Sequence, residues 1–421
     1  MRTRIRWLLI LWMFAVSAIA YLDRVNISIA GQAIAAEFHL DNVELGGVFS
    51  AFVLGYALFQ APGGWLADRI GPRRVLALGV VWWALFTSAI TILPAGVPAL
   101  LALLIAVRFF LGMGEAVVYP ASNCVVSAWI PSSERGIANG VIFAGVGFGA
   151  GITPPLIAYL LLHYGWRSSF WASAALGLAA GAVWFAIARD RPSQHPWITP
   201  TERAYIEAGL PAAPAAGGGS RLSLRTILAS RDILLVTFSY FCYGYAAYIF
   251  FSWFFIYLSG VRGLNLRQSS YYTMLPFIAM AIGSPLGGWI SDRLTRGHGA
   301  RVGRCYVAAA GIGLSAVFIA AGTLVADAGL ASIVLAGGAG ALYLSQSSFW
   351  SVSADIGGDA AGTVSGVMNM GGQFGGALTA SLTPAIANHL GWNASFLTAA
   401  AFCAAGSLAW LFVKPPAVAA R

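Results

Sequence analysis

Gly63-Gly64-Trp65-Leu66-Ala67-Asp68-Arg69 occurs early in the chain, and Gly287-Gly288-Trp289-Ile290-Ser291-Asp292-Arg293 repeats its frame 224 residues later (287 − 63). Two more stretches recur at nearly the same distance. His163-x-Gly165-Trp166-x-x-Ser169-Phe170 returns as His389-x-Gly391-Trp392-x-x-Ser395-Phe396, an offset of 226 (389 − 163). Gly136, Gly140, Gly145 and Gly149 return, again at 226, as Gly362, Gly366, Gly371 and Gly375. One match at one offset is cheap, but three separate stretches agreeing within two residues mark an internal duplication.

The repeated unit is apolar. Of 421 residues, 59% are hydrophobic and only 9% charged, against about 25% charged in ordinary soluble domains. A soluble globule of this size could not cover itself with so few charges. Fifty glycines and 15 tryptophans suit membrane helices and interface belts. A span of about 30 Å needs roughly 20 apolar residues, and twelve such stretches can be marked. They run near 7–29, 44–66, 74–94, 98–123, 135–161, 168–189, 232–259, 268–291, 303–325, 329–354, 361–388 and 393–413. The expected fold is an all-α membrane protein of twelve transmembrane helices in two pseudo-symmetric six-helix bundles, residues 1–190 and 231–421. Between them, 191–230 is a linker rich in proline (Pro192, Pro196, Pro200, Pro211, Pro214) that carries Gly217-Gly218-Gly219 and one short helix near Thr201–Ala208. The basic start (Arg2, Arg4, Arg6) before an apolar run ending Ala18-Ile19-Ala20 resembles a signal peptide. Further spans follow directly, and it reads as an uncleaved first helix.

The net charge of +9 is carried by arginine, with Lys414 the single lysine. Arg2, Arg4, Arg6, Arg69, Arg73, Arg74, Arg135, Arg189, Arg191, Arg203, Arg221, Arg225, Arg231, Arg293, Arg296, Arg301, Arg304, Lys414 and Arg421 fall on one side of the twelve-span scheme. Only Arg167, Arg262 and Arg267 fall on the other. Cytoplasmic loops collect positive charge, so both termini are expected in the cytoplasm. A basic face for nucleic acid would need clustering, which scattered loop arginines do not provide. Cys124, Cys242, Cys305 and Cys403 form no CxxC pair, the five histidines lack ligand spacing, and no metal or cofactor is expected. Nor does a nucleophile motif or phosphate loop point to an enzyme. Parallel six-helix repeats are a transporter architecture with the site between the halves, near the midplane. The glycine rows, at helical spacings, let backbones approach closely, and serve either as packing surface or as faces that rock during transport.

Gly64-Trp65-Leu66-Ala67-Asp68-Arg69-Ile70-Gly71-Pro72-Arg73-Arg74 resembles the signature of the major facilitator superfamily between its second and third helices, with Pro72 in place of the usual basic residue. Within that superfamily the chain is similar to the anion:cation symporters, whose members carry sugar acids, hexuronates and phthalate in bacteria, and glutamate and sialic acid in animal vesicles. The matching segments are Tyr21-Leu22-Asp23-Arg24-x-Asn26, Tyr56-x-x-Phe59-Gln60-x-Pro62-Gly63, and Arg108-Phe109-Phe110-Leu111-Gly112-Met113-Gly114-Glu115 with Pro120 and Asn123. What the resemblance implies is secondary active symport of an organic anion with a cation, usually the proton. The implied setting is a bacterial inner membrane, with the protein acting as a monomer.

Asp23, Arg24, Arg108 and Glu115 lie well inside spans, where a charge costs roughly 2.5–3.5 kcal/mol on insertion scales. Arg108 and Glu115 are seven residues apart, about 10 Å along one helix face. Buried ion pairs stabilise weakly compared with apolar packing, so a purely structural network explains four such charges poorly. An arginine fork suits a carboxylate. The resemblance assigns Arg24 to the substrate carboxylate and Glu115 to the coupling proton, with Asp23 and Arg108 as a second pair. Tyr56, Tyr245, Tyr248 and Ser252, Gln346 and Ser347, and Asn369 and Gln373 are the candidate polar lining. Together they fit a polyhydroxylated anion such as glucarate, galactonate or a hexuronate. Ala144-Gly145-Val146-Gly147-Phe148 stands where several sugar-acid carriers place polar residues. Asp68 and Asp292 end their spans where an aspartate can accept from the start of a neighbouring helix, and Asp68, Arg69, Arg73 and Arg135 are expected to form a latch. An exporter or antiporter, and a non-transporting sensor, are the competing readings.

Overall fold

The computed structural model describes residues 4–40, 42–96, 99–210, 224–254 and 257–415. Arg2, Arg221, Arg421, Pro211, Pro214 and Gly217-Gly218-Gly219 lie outside the described residues. Among the described residues there are sixteen α-helices and no strand. They are α1 (Ile5–Phe38), α2 (Asn42–Ile70), α3 (Pro72–Ala89), α4 (Leu100–Glu115), α5 (Val118–Trp129), α6 (Arg135–Tyr164), α7 (Trp166–Ile187), α8 (Pro200–Gly209), α9 (Leu224–Ala229), α10 (Arg231–Ser252), α11 (Leu266–His298), α12 (Val307–Leu324), α13 (Ala328–Leu344), α14 (Gln346–Gly357), α15 (Ala361–Leu390) and α16 (Trp392–Trp410).

Among the described residues, ten segments are long and apolar enough to cross a bilayer by length and composition. One of them, Ala328–Leu390, contains two consecutive passes, and α16 adds a 19-residue helix, which accounts for the twelve spans read from the sequence. Two spans are broken. α4 ends at Glu115, and after two intervening residues α5 restarts at Val118, with Pro120 in its first turn. A proline there has no N–H for the preceding turn and clashes with it. The tenth span breaks between α13 and α14, at Ser345. The short linker helix also exists, as α8, capped by Thr199 accepting from the amide of Glu202. A second one, α9, was not legible in the sequence.

The duplication is visible in the packing. α1 packs on α6 as α10 packs on α15; α2 on α4 as α11 on α13; α3 on α7 as α12 on α16. Across the pseudo-symmetry, α2 lies against α15 and α11 against α6. The glycine rows make these crossings. A methyl group on Gly64 would sit 1.9 Å from the carbonyl oxygen of Gly362, and one on Gly288 2.2 Å from that of Gly136. Gly366 and Gly140 likewise meet the carbonyls of Gln60 and Ser284. The last two glycines of each row turn the other way: Gly145 and Gly149 meet the backbone of α1, and Gly371 and Gly375 that of α10. Each row thus serves as packing surface within its own half at one end and against the other half at the opposite end. Gly71 has its own requirement. Its φ is +93°, and a Cβ there would sit 2.5 Å from the carboxylate of Asp190, which accepts from the amide of Arg73 at 2.9 Å.

Candidate functional site

A narrow cavity of about 40 Å³ lies between the first six spans and the last six. Tyr21, Tyr56, Tyr119, Phe143 and Val146 line it from one side, and Tyr240, Tyr248, Phe251, Tyr343, Gln346, Asn369 and Gln373 are among those lining it from the other. Its wall is aromatic, with amides set into it. Tyr119 stacks on Phe143 with ring centres 4.8 Å apart, and Phe143 lies 4.9 Å from Trp350. Trp350 in turn donates to Tyr240 Oη at 3.2 Å. This layer closes the cavity toward the linker end of the molecule.

Arg24 lies beside the cavity. Its guanidinium is stacked over the ring of Tyr56 at 3.9 Å and over Tyr21 at 4.8 Å, both cavity residues. Its Nε donates to Glu115 Oε2 at 3.0 Å. Glu115 is fully buried at the break between α4 and α5. Arg24 Nη2 and Glu115 Oε1 are both buried without a hydrogen-bond partner. The arginine therefore has one arm held and one arm free, and π faces that spread its charge.

The second charged pair differs from expectation. Asp23 accepts from Thr87 Oγ1 at 2.7 Å, and its other oxygen has no partner. Arg108 stacks over Phe52 at 4.7 Å, with its Nε unpaired. No ion pair joins Asp23 to Arg108 among the described residues. Thr87 offers Asp23 a short uncharged donor, and Phe52 holds both guanidinium groups through its face.

The amides are already engaged. Gln346 Nε2 donates to Tyr240 Oη at 3.0 Å, Tyr248 Oη donates to Gln373 Oε1 at 2.6 Å, and Asn369 Nδ2 donates to Gln60 Oε1 at 2.8 Å. Tyr56, Tyr248, Gln346, Asn369 and Gln373 thus line the cavity, whereas Tyr245, Ser252 and Ser347 are not among its lining residues. Tyr245 lies 4.4 Å from the ring of Phe402 in α16. On α10 the cavity face runs through Tyr240, Gly244, Ala247, Tyr248 and Phe251, and Tyr245 is a 100° turn past Gly244 on a helix of about 3.6 residues per turn. Ser347 Oγ donates to the carbonyl of Ser284 at 3.0 Å and so fastens α14 to α11.

Below the aromatic layer the halves are tied in tiers. Asn123 Nδ2 donates to Ser353 Oγ at 3.1 Å, and Asn139 Nδ2 to Ser351 Oγ at 3.4 Å. Deeper still are two aspartate latches. Asp68 accepts from the amides of Gly362 and Thr363 at 2.9 and 2.7 Å, and from Thr363 Oγ1. Asp292 accepts from the amides of Gly136 and Ile137 at 2.8 and 2.7 Å. Each carboxylate sits at the start of a helix of the other half, where orphan amides and the helix dipole attract it.

Their partners are unlike. Asp292 is paired to Arg304 at 2.6 Å, and Arg304 also donates to the carbonyl of Ser132 across the interface. Asp68 has the Cys124 thiol at 3.2 Å instead. Arg135 joins this tier by pairing with Asp355 at 2.5 Å. Arg69 and Arg73 do not. Arg69 is exposed and lies over Trp65 at 4.4 Å. Arg73 donates to the carbonyl of Phe185 within its own half. Arg304 and Asp355 are the latch residues the sequence reading missed. Arg304 was legible only as one loop arginine among many, while Asp355, a lone acid at the end of the tenth span, was the available signal.

At the opposite end, Glu37 and Arg167 make a two-bond pair of 2.6 and 2.8 Å, with Trp166 Nε1 on the same carboxylate at 2.8 Å. The Arg167 and Trp166 donors hold the Glu37 carboxyl down to about 2.

A model of the Major Facilitator Superfamily matches residues 13–380. The "Probable sulfoacetate transporter" of Cupriavidus necator is 35% identical over 408 residues, covering 94% of this chain and 91% of that one. The hexuronate transporter of Bacillus subtilis is 30% identical over 412 residues, covering 96% and 94%. The proton:xylose symporter XylE superposes with a TM-score of 0.78 at 14% identity, over 99% of this chain and 97% of that one. The likeness to XylE shows the shared fold. The chain belongs to the major facilitator superfamily, in its anion:cation symporter branch. It is a multi-pass membrane transporter, of a family that moves solutes rather than transforming them.

Proposed function

We propose that the protein is a proton-coupled symporter of a small organic anion. The observation that supports this most is the half-satisfied Arg24–Glu115 pair on the aromatic wall of the cavity. The free arm of Arg24 offers a substrate carboxylate or sulfonate a charge-assisted bond. When the substrate takes the guanidinium, Glu115 is left buried and uncompensated, and a proton neutralises it more cheaply than the site can hold the bare charge. Binding of the anion and uptake of the proton then favour one another. Gln346, Asn369 and Gln373 exchange their present partners for substrate hydroxyls, which suits sugar acids such as glucarate, galactonate or a hexuronate. Sulfoacetate, carried by a relative, extends the same chemistry to a smaller anion.

The halves 1–190 and 231–421 act as the moving bodies. The tiers of contacts at the linker end correspond to a state open to, or occluded from, the opposite side. The one-sided arginine distribution supports a reading in which that linker end and both termini face the cytoplasm of a bacterial inner membrane, and in this proposal one chain is the working unit.

The test is uptake into proteoliposomes with an imposed inward proton gradient, using labelled glucarate, galactonate, glucuronate and sulfoacetate. Uptake of one of these that collapses with an uncoupler is expected. Uptake indifferent to both gradient and uncoupler would refute coupling, and efflux driven by the same gradient would favour an antiporter.

A further inference from the structure

Gln60, Gly64 and Asp68 follow one another at intervals of four and so share one face of α2. All three meet α15. Asp68 holds the amides of Gly362 and Thr363 at 2.9 and 2.7 Å, and the carbonyls of Gly64 and Gln60 pack on Gly362 and Gly366. The side chain of Gln60 reaches about one turn further along α15, where Asn369 Nδ2 donates to its Oε1 at 2.8 Å. Asn369 lines the cavity, whereas Gln60 is wholly buried and does not. The other end of the Gln60 amide, Nε2, is buried without a hydrogen-bond partner. The top rung of this seam is thus one bond, from a cavity residue of one half to a half-satisfied amide of the other.

The duplicated seam, α11 against α6, lacks this rung. The offset of 224 carries Gln60 to Ser284 (60 + 224), and the offset of 226 carries Asn369 back to Phe143 (369 − 226). Phenylalanine has no polar side-chain atom to offer. Ser284 Oγ is buried without a partner, and the Ser284 carbonyl accepts from Ser347 of its own half. The two seams are alike at the bottom, each an aspartate on two helix-end amides. They differ at the top, and of these two top rungs only Gln60–Asn369 is polar and borders the cavity. We propose that Gln60 is a positioning residue through which occupancy of the cavity opens the α2–α15 seam. The inference rests on the reading of Asn369 as a substrate ligand. An anion whose oxygen takes the Asn369 N–H leaves the Gln60 amide with neither end satisfied in a dry contact, and a buried amide then bears its full desolvation cost. Opening of the seam returns water to both ends of that amide. An empty cavity leaves the rung in place and the seam shut.

The test reads the buried thiol of Cys124, which lies on Asp68 at 3.2 Å and is covered by Gly362 while this seam is shut. The full chain in proteoliposomes is treated with N-ethylmaleimide, and the labelled Cys124 peptide is quantified by mass spectrometry. Without any anion, Gln60→Asn, whose shorter amide cannot reach Asn369, is expected to label about fivefold faster than wild type, the shift that one hydrogen bond of about 1 kcal/mol supports. Ser284→Ala, on the other seam, should label as wild type does. Gln60→Leu fills the same space with no amide to satisfy, and should keep Cys124 as protected as in wild type. Whichever of glucarate, galactonate, glucuronate and sulfoacetate is taken up should raise labelling of wild type by a similar factor, and should leave Gln60→Leu unchanged. Equal labelling of wild type and Gln60→Asn without anion would overturn the inference. So would an equal rise in Ser284→Ala, which would mean general loosening, or an anion response of Gln60→Leu equal to that of wild type. Thermal unfolding identifies a variant that fails to fold, and the Gln60→Leu arm decides alone if Gln60→Asn is that variant. If none of the four anions is taken up, the proposed substrate class fails, while the anion-free comparison still decides the role of Gln60.

Discussion

Arg24 and Glu115 share a single hydrogen bond of 3.0 Å, and each keeps one buried polar atom without a partner. A pair built for stability would close both forks. Replacing Glu115 by Gln keeps the shape and removes the proton-dependent charge. Glu115→Gln is expected to lose accumulation driven by a proton gradient while retaining substrate exchange between loaded vesicles. Full uphill uptake by the variant would sink the coupling role.

Arg24→Lys keeps the charge but loses the planar fork and the stack on Tyr56. A lysine is a compact point charge that cannot match either. Substrate affinity should fall by about tenfold or more, from one charge-assisted bond of roughly 1.5–3 kcal/mol, as read by the half-saturation concentration of uptake. Unchanged affinity would remove Arg24 from the binding site.

The two latches should respond unequally. Asp292→Asn leaves Arg304, which is fully buried, without its counter-charge, a change that typically costs 3–5 kcal/mol. Asp68→Asn disturbs only hydrogen bonds to amides, a hydroxyl and a thiol, each worth about 1 kcal/mol. Thermal unfolding should therefore drop further for Asp292→Asn. Equal losses would mean that the Arg304 pair carries no weight in this state.

Gly362→Ala places a methyl group 2.6 Å from both the Cys124 sulfur and the Gly64 carbonyl. The linker end cannot then close as it does here. Transport should fall at least tenfold, and a cysteine probe at that end should become more reactive in the variant. Wild-type transport by Gly362→Ala would show that this crossing has slack.

Glu37 gives a pH test away from the membrane interior. Its carboxyl is held at about 2 against an ordinary 4.5. A lowered value means that the pair's contribution is present above 4.5 and is lost as the pH falls from there toward 2. The gap in unfolding temperature between wild type and Glu37→Gln should be small and constant from pH 7 to pH 5, since the pair is partly exposed, and should shrink below pH 4.5. A gap that widens on acidification would contradict this pairing.

Much of this was readable in the chain because membranes simplify the code. Apolar length gave the spans, and the offset of Gly63 and Gly287 gave the duplication. The aspartate–helix contacts of Asp68 and Asp292 followed from their positions at span ends. Contact partners at the site were less legible. That Asp23 would take Thr87, or that Tyr245 would turn to Phe402, depends on helix rotation and on which span lies alongside, and a uniformly apolar helix carries little record of either. The break at Glu115 was signalled by Pro120, but the matching break at Ser345 has no proline to announce it.

The crossings of Gly64 on Gly362 and Gly288 on Gly136 bring main chain onto main chain. At the crossings themselves no side chain has to choose a rotamer when the seam closes or surrender one when it opens, whereas freezing a long side chain costs up to about 1.5–2 kcal/mol; that cost falls only on the latch side chains beside them, such as Asp68, Asp292 and Arg304. A seam whose closest contacts carry so little of that toll can be made and broken with a small difference in free energy between its two states. A machine that must pass through both on every cycle, at ordinary temperature and without being trapped in either, requires a seam of that kind.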